Sequence, residues 1–241
     1  MSMDVLEVGG RKFEGSARTA MDLKPVLAFP QSLEEDFDAY YMFRDVYYSR
    51  QDKERITERK LRYDITVIPP NSVGGEYIKT YGHYHPEVEK GLSYTEIYEV
   101  LEGTALYLLQ KEENGEVTDV IIVEASSGDK VIIPPNYGHV TINPSNKLLK
   151  MANWVHRGFS SEYRSFEKKK GACYYFTHDG WIKNEMYSDP PTLNFVQPNP
   201  NALGLKRSEE MYKLVKDLDK LEFLWKPSKH EQLFGEAFKE K

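Results

Sequence analysis

Cysteine is nearly absent from this chain, because Cys173 is the single thiol among 241 residues. One cysteine excludes an internal disulfide and argues against the small disulfide-stapled folds of secreted proteins, so a reducing compartment fits best. The chain also has no apolar run of membrane-spanning length, and its first residues form no signal-peptide pattern. We therefore expect a cytoplasmic protein without a membrane partner.

Positive charge is not in excess either. The chain carries 32 Lys and Arg against 38 Asp and Glu, a formal net charge of −6 that disfavours nucleic acid as a partner. Apolar residues make up 40% of the chain and aromatic residues 13%, including 17 Tyr. A chain of this length and composition can bury a sizeable core, so we expect a folded globular protein.

Short strand patterns separated by Gly, Pro and Asn corners dominate the chain from Leu61 onward. Asn114-Gly115, between two of these patterns, is a strong signal for a hairpin turn. Many short strands at this spacing are typical of an antiparallel barrel or jelly roll. We expect this barrel to span residues 61–190.

The barrel is flanked by two smaller regions that we expect to belong to the same structural domain. Residues 1–60 predict strands and a short helix that pack on the barrel, with a strand over 39–48 and a solvated turn over the charged run 51–60. Residues 191–241 predict an extended linker and one clear helix, which begins at Ser208 and packs on the barrel or on a second subunit. The apolar positions of this helix are Met211, Leu214, Val215, Leu218 and Leu221.

Three histidines and one glutamate are the strongest candidates for a functional site. His83 and His85 are two residues apart, so in a strand both side chains point to the same face. Glu96 begins the next strand pattern, and His139 follows a Gly/Pro corner. Three imidazoles and one carboxylate suit a transition metal such as Fe, Mn, Ni or Zn.

These residues resemble the two motifs of the cupin superfamily. The first motif is His83-x-His85, then Glu96, then Gly103, and ten residues separate His85 from Glu96, more than is usual in a cupin. The second motif consists of Gly128, Pro134, His139 and Asn143. The resemblance implies an all-β cupin jelly-roll barrel with a C-terminal helical extension, in which the long gap forms a loop over the barrel mouth.

Within the cupins, the chain resembles the cupin-type phosphoglucose isomerases of archaea and some bacteria. The resemblance covers roughly residues 60–190 and depends on Thr80 to His85, Thr95 to Tyr98 and Pro134 to Asn143. It implies a metal-dependent glucose-6-phosphate isomerase of glycolysis and gluconeogenesis. It also implies one divalent metal ion per subunit, Fe²⁺ first and Mn²⁺, Ni²⁺ or Zn²⁺ otherwise. Because an open barrel leaves sheet edges to cover, we expect a homodimer.

The resemblance also implies roles for individual residues. His83, His85, Glu96 and His139 are the implied metal ligands, and the implied catalytic residues are Glu96, as acid and base, and Tyr98, which faces the sugar. Hydrogen moves between the first two sugar carbons either through an enediol or as a hydride, and the sequence leaves both routes open. The implied phosphate ligands are Thr66, Thr80, Gly82 and Tyr163.

One departure from the family lies near Tyr163, where relatives carry a His two residues earlier and this chain has Ser161. Either His156 or Arg157 compensates, or the contact with phosphate is weaker than in the relatives. We expect Arg157 and Arg164 to be the nearest positive charges. Three other functions fit a cupin with these motifs: another sugar-phosphate isomerase or epimerase, an Fe(II) dioxygenase, and a non-catalytic sugar-binding protein.

Overall fold

The computed structural model of the chain describes residues 3–199, 201 and 203–240. Its strands are, in chain order, β1 (Val5–Val8), β2 (Arg11–Glu14), β3 (Ser16–Thr19), β4 (Asp38–Phe43), β5 (Leu61–Ile68), β6 (Ser72–Val73), β7 (Glu76–Tyr77), β8 (Glu87–Glu89), β9 (Leu92–Ser93), β10 (Glu96–Glu102), β11 (Thr104–Glu113), β12 (Glu116–Ser126), β13 (Lys130–Ile133), β14 (Tyr137–Ile142), β15 (Leu149–His156), β16 (Tyr174–Thr177), β17 (Gly180–Lys183), β18 (Asn194–Pro198) and β19 (Phe238–Glu240). The α-helices are α1 (Ala20–Leu23), α2 (Arg50–Glu58), α3 (Arg164–Lys168) and α4 (Glu231–Gly235). Short 3₁₀ helices occupy Lys24–Val26, Pro30–Ser32, Met211–Lys216, Leu218–Leu224 and Pro227–Lys229.

Two sheets form the barrel. The first has six strands in the order β13-β10-β15-β5-β4-β3, and the second has five in the order β14-β11-β12-β18-β19. The chain changes sheet after β10, after β12, after β13 and after β14, so strands that follow one another in sequence often lie in opposite sheets. The register within each sheet is antiparallel except between β12 and β18. This arrangement confirms the predicted all-β jelly roll.

Glycine is required at two of the corners where the chain changes sheet. Gly103 has a φ of +83°, and a Cβ there would lie 2.4 Å from the carbonyl oxygen of Leu148. Gly128 has a φ of +90°, and a Cβ there would lie 2.6 Å from the carbonyl oxygen of Arg207. Only glycine combines a left-handed backbone with so close an approach of a second chain segment.

The inner faces of the two sheets pack against each other. Tyr98 of the first sheet and Tyr107 of the second are buried, and their ring centroids are 5.3 Å apart. The outer face of the six-stranded sheet is also covered. Leu61, Tyr63 and Ile65 of β5 belong to a buried cluster with the segment 211–224. Because successive residues of a strand point to opposite faces, Arg62, Asp64 and Thr66 point inward.

The C-terminal segment packs on the barrel, but it is not the single α-helix that the sequence predicts. Residues Met211–Lys216 and Leu218–Leu224 are 3₁₀ helices, separated at Asp217 by a non-helical backbone with a φ of −148° and a ψ of 71°. The buried apolar residues include 211 and 214 in the first helix and 218, 221 and 224 in the second. A spacing of three matches the three residues per turn of a 3₁₀ helix, and over so short a stretch it resembles an α-helical stripe.

The charged run near residue 50 is helical where the sequence predicts a turn. The predicted solvated turn is the α-helix α2, whose N-cap Ser49 accepts a hydrogen bond from the Asp52 N–H at 3.1 Å. Only Ile56 of this helix is buried. The predicted strand over 39–48 likewise ends early, because β4 stops at Phe43.

None of the helices in the described part of the chain has both the length and the apolarity that a membrane span requires. Of the predicted linker, residues 200 and 202 lie outside the described part.

Candidate active site

Four potential metal ligands meet inside the barrel. One ligand atom from each of His83, His85, Glu96 and His139 lies within 4.8 Å of the other three. The Nε2 atoms of His83 and His85 are 3.2 Å apart, and Glu96 Oε2 lies 3.3 Å from Nε2 of both His85 and His139. The structure therefore brings together all four residues that the two sequence motifs nominate.

Backbone pairing between the two motifs holds this cluster together. His83 and His139 exchange both backbone hydrogen bonds, with N···O distances of 3.3 and 3.0 Å. The segment around His83 and His85 forms isolated bridges rather than the regular strand that the sequence suggests. Glu96 stands at the start of β10, directly opposite Ile133 of β13 and Val155 of β15.

Neighbouring polar groups orient the four side chains. Asn153 donates from Nδ2 to Glu96 Oε1 at 2.6 Å, and Nδ1 of His85 lies 3.1 Å from the carbonyl oxygen of Tyr94. An N–H on Nδ1 would donate to that carbonyl and leave the Nε2 lone pair of His85 free for a metal, the usual arrangement around metal-bound histidines. The Tyr98 hydroxyl lies 3.2 Å from Nε2 of His139.

The charges of the cluster suit a divalent cation. Burial raises the pKa of the Glu96 carboxyl, but the adjoining imidazoles of His139 and His85 outweigh it and bring the pKa well below its usual value. Burial and the neighbouring imidazoles also lower the pKa of His83 well below 6.5, and burial lowers that of His139. An anionic carboxylate with neutral imidazoles is the protonation state in which these groups bind metals.

A buried, unpartnered oxygen gives a further indication that the cluster fits a metal. Glu96 Oε2 is inaccessible to solvent, and although Nε2 of His85 and of His139 each lie 3.3 Å away, it makes no hydrogen bond of good geometry within the described ranges. A buried carboxylate oxygen without a hydrogen bond destabilises the folded protein, and a bound cation would remove that cost. We conclude that these four residues could hold a divalent metal.

A cavity of about 380 Å³ opens beside the cluster. Inward-facing residues of β4, β5, β10 and β15 form much of its wall. The wall includes every residue that the family resemblance implies for substrate, namely Thr66, Thr80, Gly82, Tyr98 and Tyr163. Metal ligands and implied phosphate ligands therefore share one cavity of the size that small ligands occupy.

The local structure adds detail to two of these residues. Thr80 Oγ1 already accepts the backbone N–H of Thr141 at 3.0 Å, so it has less capacity left for a ligand. Gly82 has a φ of +84°, and a Cβ there would lie 2.7 Å from Val140 Cγ2 and 2.8 Å from Phe166 Cδ1. Packing alone therefore requires glycine at position 82, whatever its backbone N–H binds.

Two arginines on the cavity wall were missed by sequence reasoning. Arg44 and Arg62 line the cavity, and both bind the buried carboxylate of Asp64. The expectation that Arg157 and Arg164 are the nearest positive charges is wrong, because neither lines the cavity and Arg157 pairs instead with Asp45. The sequence does contain a signal for Arg62 and Asp64. They precede the implied phosphate ligand Thr66 by four and two residues, so in a strand all three side chains lie on the same face.

Two rings that line the cavity, those of Phe159 and His156, pack against further aromatic side chains. Phe159 stacks on Tyr94 with centroids 4.6 Å apart, and its ring lies 4.7 Å from that of His85. His156 also lines the cavity, and its ring lies 5.7 Å from Trp225 of the C-terminal segment. The ten residues between His85 and Glu96, which include Tyr94, form the small hairpin β8–β9.

Comparison with known proteins gives three results. A family model described as glucose-6-phosphate isomerase (GPI) matches residues 17–192. The glucose-6-phosphate isomerase of Thermococcus litoralis is 32% identical over 136 residues, which cover 55% of this chain and 64% of that protein. The glucose-6-phosphate isomerase of Thermococcus kodakarensis is 28% identical over 156 residues, which cover 65% of this chain and 75% of that protein.

The first of these relatives is thus matched over slightly less than two thirds of its length. Among solved structures, an oxalate decarboxylase from Lactobacillus farciminis aligns with a TM-score of 0.38 and 16% identity, covering 53% of this chain and 31% of that one. A similarity of this degree supports no conclusion about function.

Proposed function

Because the chain belongs to the glucose-6-phosphate isomerase family, we propose that it interconverts glucose 6-phosphate and fructose 6-phosphate with the help of a divalent cation. The observation that supports this most strongly is the shared cavity, whose wall combines three of the four clustered metal ligands, His83, His85 and Glu96, with uncharged hydrogen-bond donors. An enzyme for this reaction needs both parts, since the phosphate lies at one end of the open-chain sugar and the reacting carbons at the other.

The proposed metal ligands are His83, His85, Glu96 and His139, whose donor atoms and charges suit a borderline transition metal. When bound, the cation would supply Lewis-acid chemistry, stabilising negative charge on the oxygens of the first two sugar carbons. Among the ions that this ligand set accepts we propose Fe²⁺ first, with Mn²⁺, Ni²⁺ and Zn²⁺ as the other candidates.

The protein's own groups would hold the open-chain sugar along the cavity. Thr66, Thr80, the Gly82 N–H and Tyr163 are proposed to bind the phosphate, and all four line the same cavity. The Tyr98 hydroxyl, close to His139 Nε2, is proposed to hydrogen-bond the sugar oxygens near the reacting carbons. Binding at both ends would fix the chain so that C1 and C2 lie beside Glu96.

Two routes for the hydrogen fit these residues. In the first, Glu96 removes the proton from one carbon and returns it to the next, through an enediol. In the second, the hydrogen passes directly as a hydride, and Glu96 serves as a ligand. Glucose 6-phosphate deuterated at C2 separates them, because an enediol route exchanges deuterium with water and a hydride route carries it to C1 of the fructose 6-phosphate product.

We further propose that the protein is a cytoplasmic homodimer, built as a single structural domain and acting in glycolysis and gluconeogenesis. The single cysteine is compatible with a reducing compartment. The dimer is an inference from the sheet edges that an open barrel presents.

The test of the activity is conversion of fructose 6-phosphate to glucose 6-phosphate by the wild-type protein and two matched variants. Glu96→Gln removes the proposed ligand and acid–base group, while Glu102→Gln removes an exposed carboxylate at the other end of the same strand. We expect wild-type activity, activity close to wild type in Glu102→Gln, and a loss of at least about 100-fold in Glu96→Gln. No conversion by folded, metal-supplied wild-type protein would overturn the proposal.

A further inference from the structure

An ion-pair triad on the cavity wall has no role in the function proposed so far. Arg44 Nη1 and Arg62 Nε each lie 2.8 Å from the same oxygen of Asp64, Oδ2. The other carboxylate oxygen accepts the backbone N–H of Asp45 at 3.0 Å. The Asp64 side chain is 1% exposed, whereas that of Arg44 is 47% exposed. The triad is thus a buried anion that holds two arginines at the cavity surface.

The triad itself has a net positive charge of one. Two guanidinium groups share one carboxylate, and Glu96 is the one carboxylate among the described residues that line the cavity. Burial lowers the pKa of Arg44, but the Asp64 carboxylate outweighs it and the pKa is raised, so the guanidinium stays charged. His156 supplies no positive charge at neutral pH, because burial and the charges of Lys60 and Arg157 lower its pKa.

Of the two arginines, Arg44 lies nearer to the proposed phosphate ligands. Its Nη2 atom is 3.3 Å from the sulfur of Met42, and Met42 stands opposite Thr66 in the register of β4 and β5. Arg62 is four residues from Thr66 along the same strand, about 13 Å at the usual rise. Arg44 also lies within electrostatic range of Tyr163 and Glu96. The register of β4 and β5 thus brings Arg44 closer to Thr66 than Arg62 is.

Arg44 retains donors for a ligand. Its Nη1 donates to Asp64, whereas the hydrogen bond that Nη2 makes within the described part of the chain is to the thioether sulfur of Met42, a weak acceptor. The phosphate ligands proposed above are hydroxyls and one backbone N–H, all uncharged. A phosphate dianion inside a cavity is held best by a charge-assisted donor, and the planar guanidinium fork matches phosphate oxygens.

We propose that Arg44, positioned by Asp64, is the cationic residue that binds the phosphate group of the substrate. The identity of the sugar phosphate in this inference rests on the proposed function. Binding of an anion by Arg44 can be measured whether or not the protein catalyses the reaction. Arg44 would contribute mainly to binding, because the phosphate keeps the same charge in substrate and transition state.

The test compares Arg44→Gln and Arg44→Lys with the control Arg59→Gln, which removes an arginine that pairs with Asp219 away from the cavity. Steady-state kinetics with fructose 6-phosphate should show KM raised about 10- to 100-fold in Arg44→Gln, the effect of one lost charge-assisted hydrogen bond. We expect kcat to change less than about threefold. Arg44→Lys should recover part of the loss, and Arg59→Gln should match the wild type. Thermal melting of each variant checks folding.

A direct binding measurement separates this inference from the proposed activity. Inorganic phosphate should bind the wild-type protein and bind Arg44→Gln more weakly, by a comparable factor, whether or not the wild type isomerises fructose 6-phosphate. If the wild type is inactive but phosphate binding still depends on Arg44, the activity fails and the anion site stands. If the wild type is active and folded Arg44→Gln has an unchanged KM and phosphate affinity, the Arg44 assignment is refuted.

Discussion

Replacing Asn153 by alanine should weaken metal binding without unfolding the protein. Asn153 is buried and donates its side-chain N–H to Glu96 Oε1 at 2.6 Å. The change removes this donor and leaves a buried carboxylate oxygen without its hydrogen bond. Residues that orient a metal ligand in this way influence affinity although they do not touch the ion.

The size of the effect follows from the charge of the acceptor. A hydrogen bond to a buried charged group contributes about 1.5–3 kcal/mol. If the carboxylate needs this bond to keep its orientation toward the imidazoles, the loss corresponds to about 10- to 100-fold in metal affinity.

The assay is competition for the metal with a coloured chelator, run on wild type, Asn153→Ala and the control Asn184→Ala. Asn184 is also buried, and its side chain donates to the carbonyl oxygens of Lys169 and Ala172, away from the cavity. Both variants should lose stability in urea, but only Asn153→Ala should lose metal affinity. Equal affinity in Asn153→Ala and wild type, or an equal loss in both variants, would refute the reasoning.

Three further predictions concern stability and reactivity. Lys130→Met should lower the free energy of unfolding by about 3–5 kcal/mol, because it leaves the buried carboxylate of Glu99 without its ion-pair partner and removes the donor to carbonyls of segment 206–209. Urea unfolding measures this loss, and a value below about 1 kcal/mol would contradict the prediction. Gly82→Ala should lower the free energy of unfolding by about 1–3 kcal/mol more than Gly115→Ala does, since both glycines have a φ of +84° but only a Cβ at position 82 would have neighbours within 4 Å. Equal losses of stability in urea would argue against a packing role for Gly82. Burial raises the pKa of the Cys173 thiol to about 12, so the thiol should be protonated and unreactive toward iodoacetamide in the native protein at about pH 8. Mass spectrometry should detect labelling only after unfolding, and labelling of the native protein at the rate of a free cysteine would contradict this.

Features with a local cause could be predicted from the sequence. The strands after Leu61 are marked by alternation and by corner residues such as Gly103 and Gly128, whose backbone geometry excludes other residues. The spacing within two motifs was enough to predict the four candidate metal ligands, His83, His85, Glu96 and His139. The structure brings their ligand atoms together because the two segments exchange backbone hydrogen bonds.

Features that depend on distant contacts could not be predicted in this way. Arg44 follows a strand whose pairing with β5 is invisible in the sequence, so its approach to Asp64 was missed. The segment 211–224 packs its apolar residues in one cluster with the outer face of β5, a distant contact that the spacing of those residues along the chain does not show. The charged run 50–58 is helical because its N-cap and helix-favouring residues outweigh its lack of an apolar stripe.

The most direct test of the account is the rate of fructose 6-phosphate isomerisation before metal removal, after chelation, and after Fe²⁺, Mn²⁺, Ni²⁺ or Zn²⁺ is added back singly. We expect the rate to fall to background on chelation and to return with at least one of these ions, while the fold persists. A folded protein that contains no metal and keeps its full rate would contradict the assignment of His83, His85, Glu96 and His139 as the catalytic metal site.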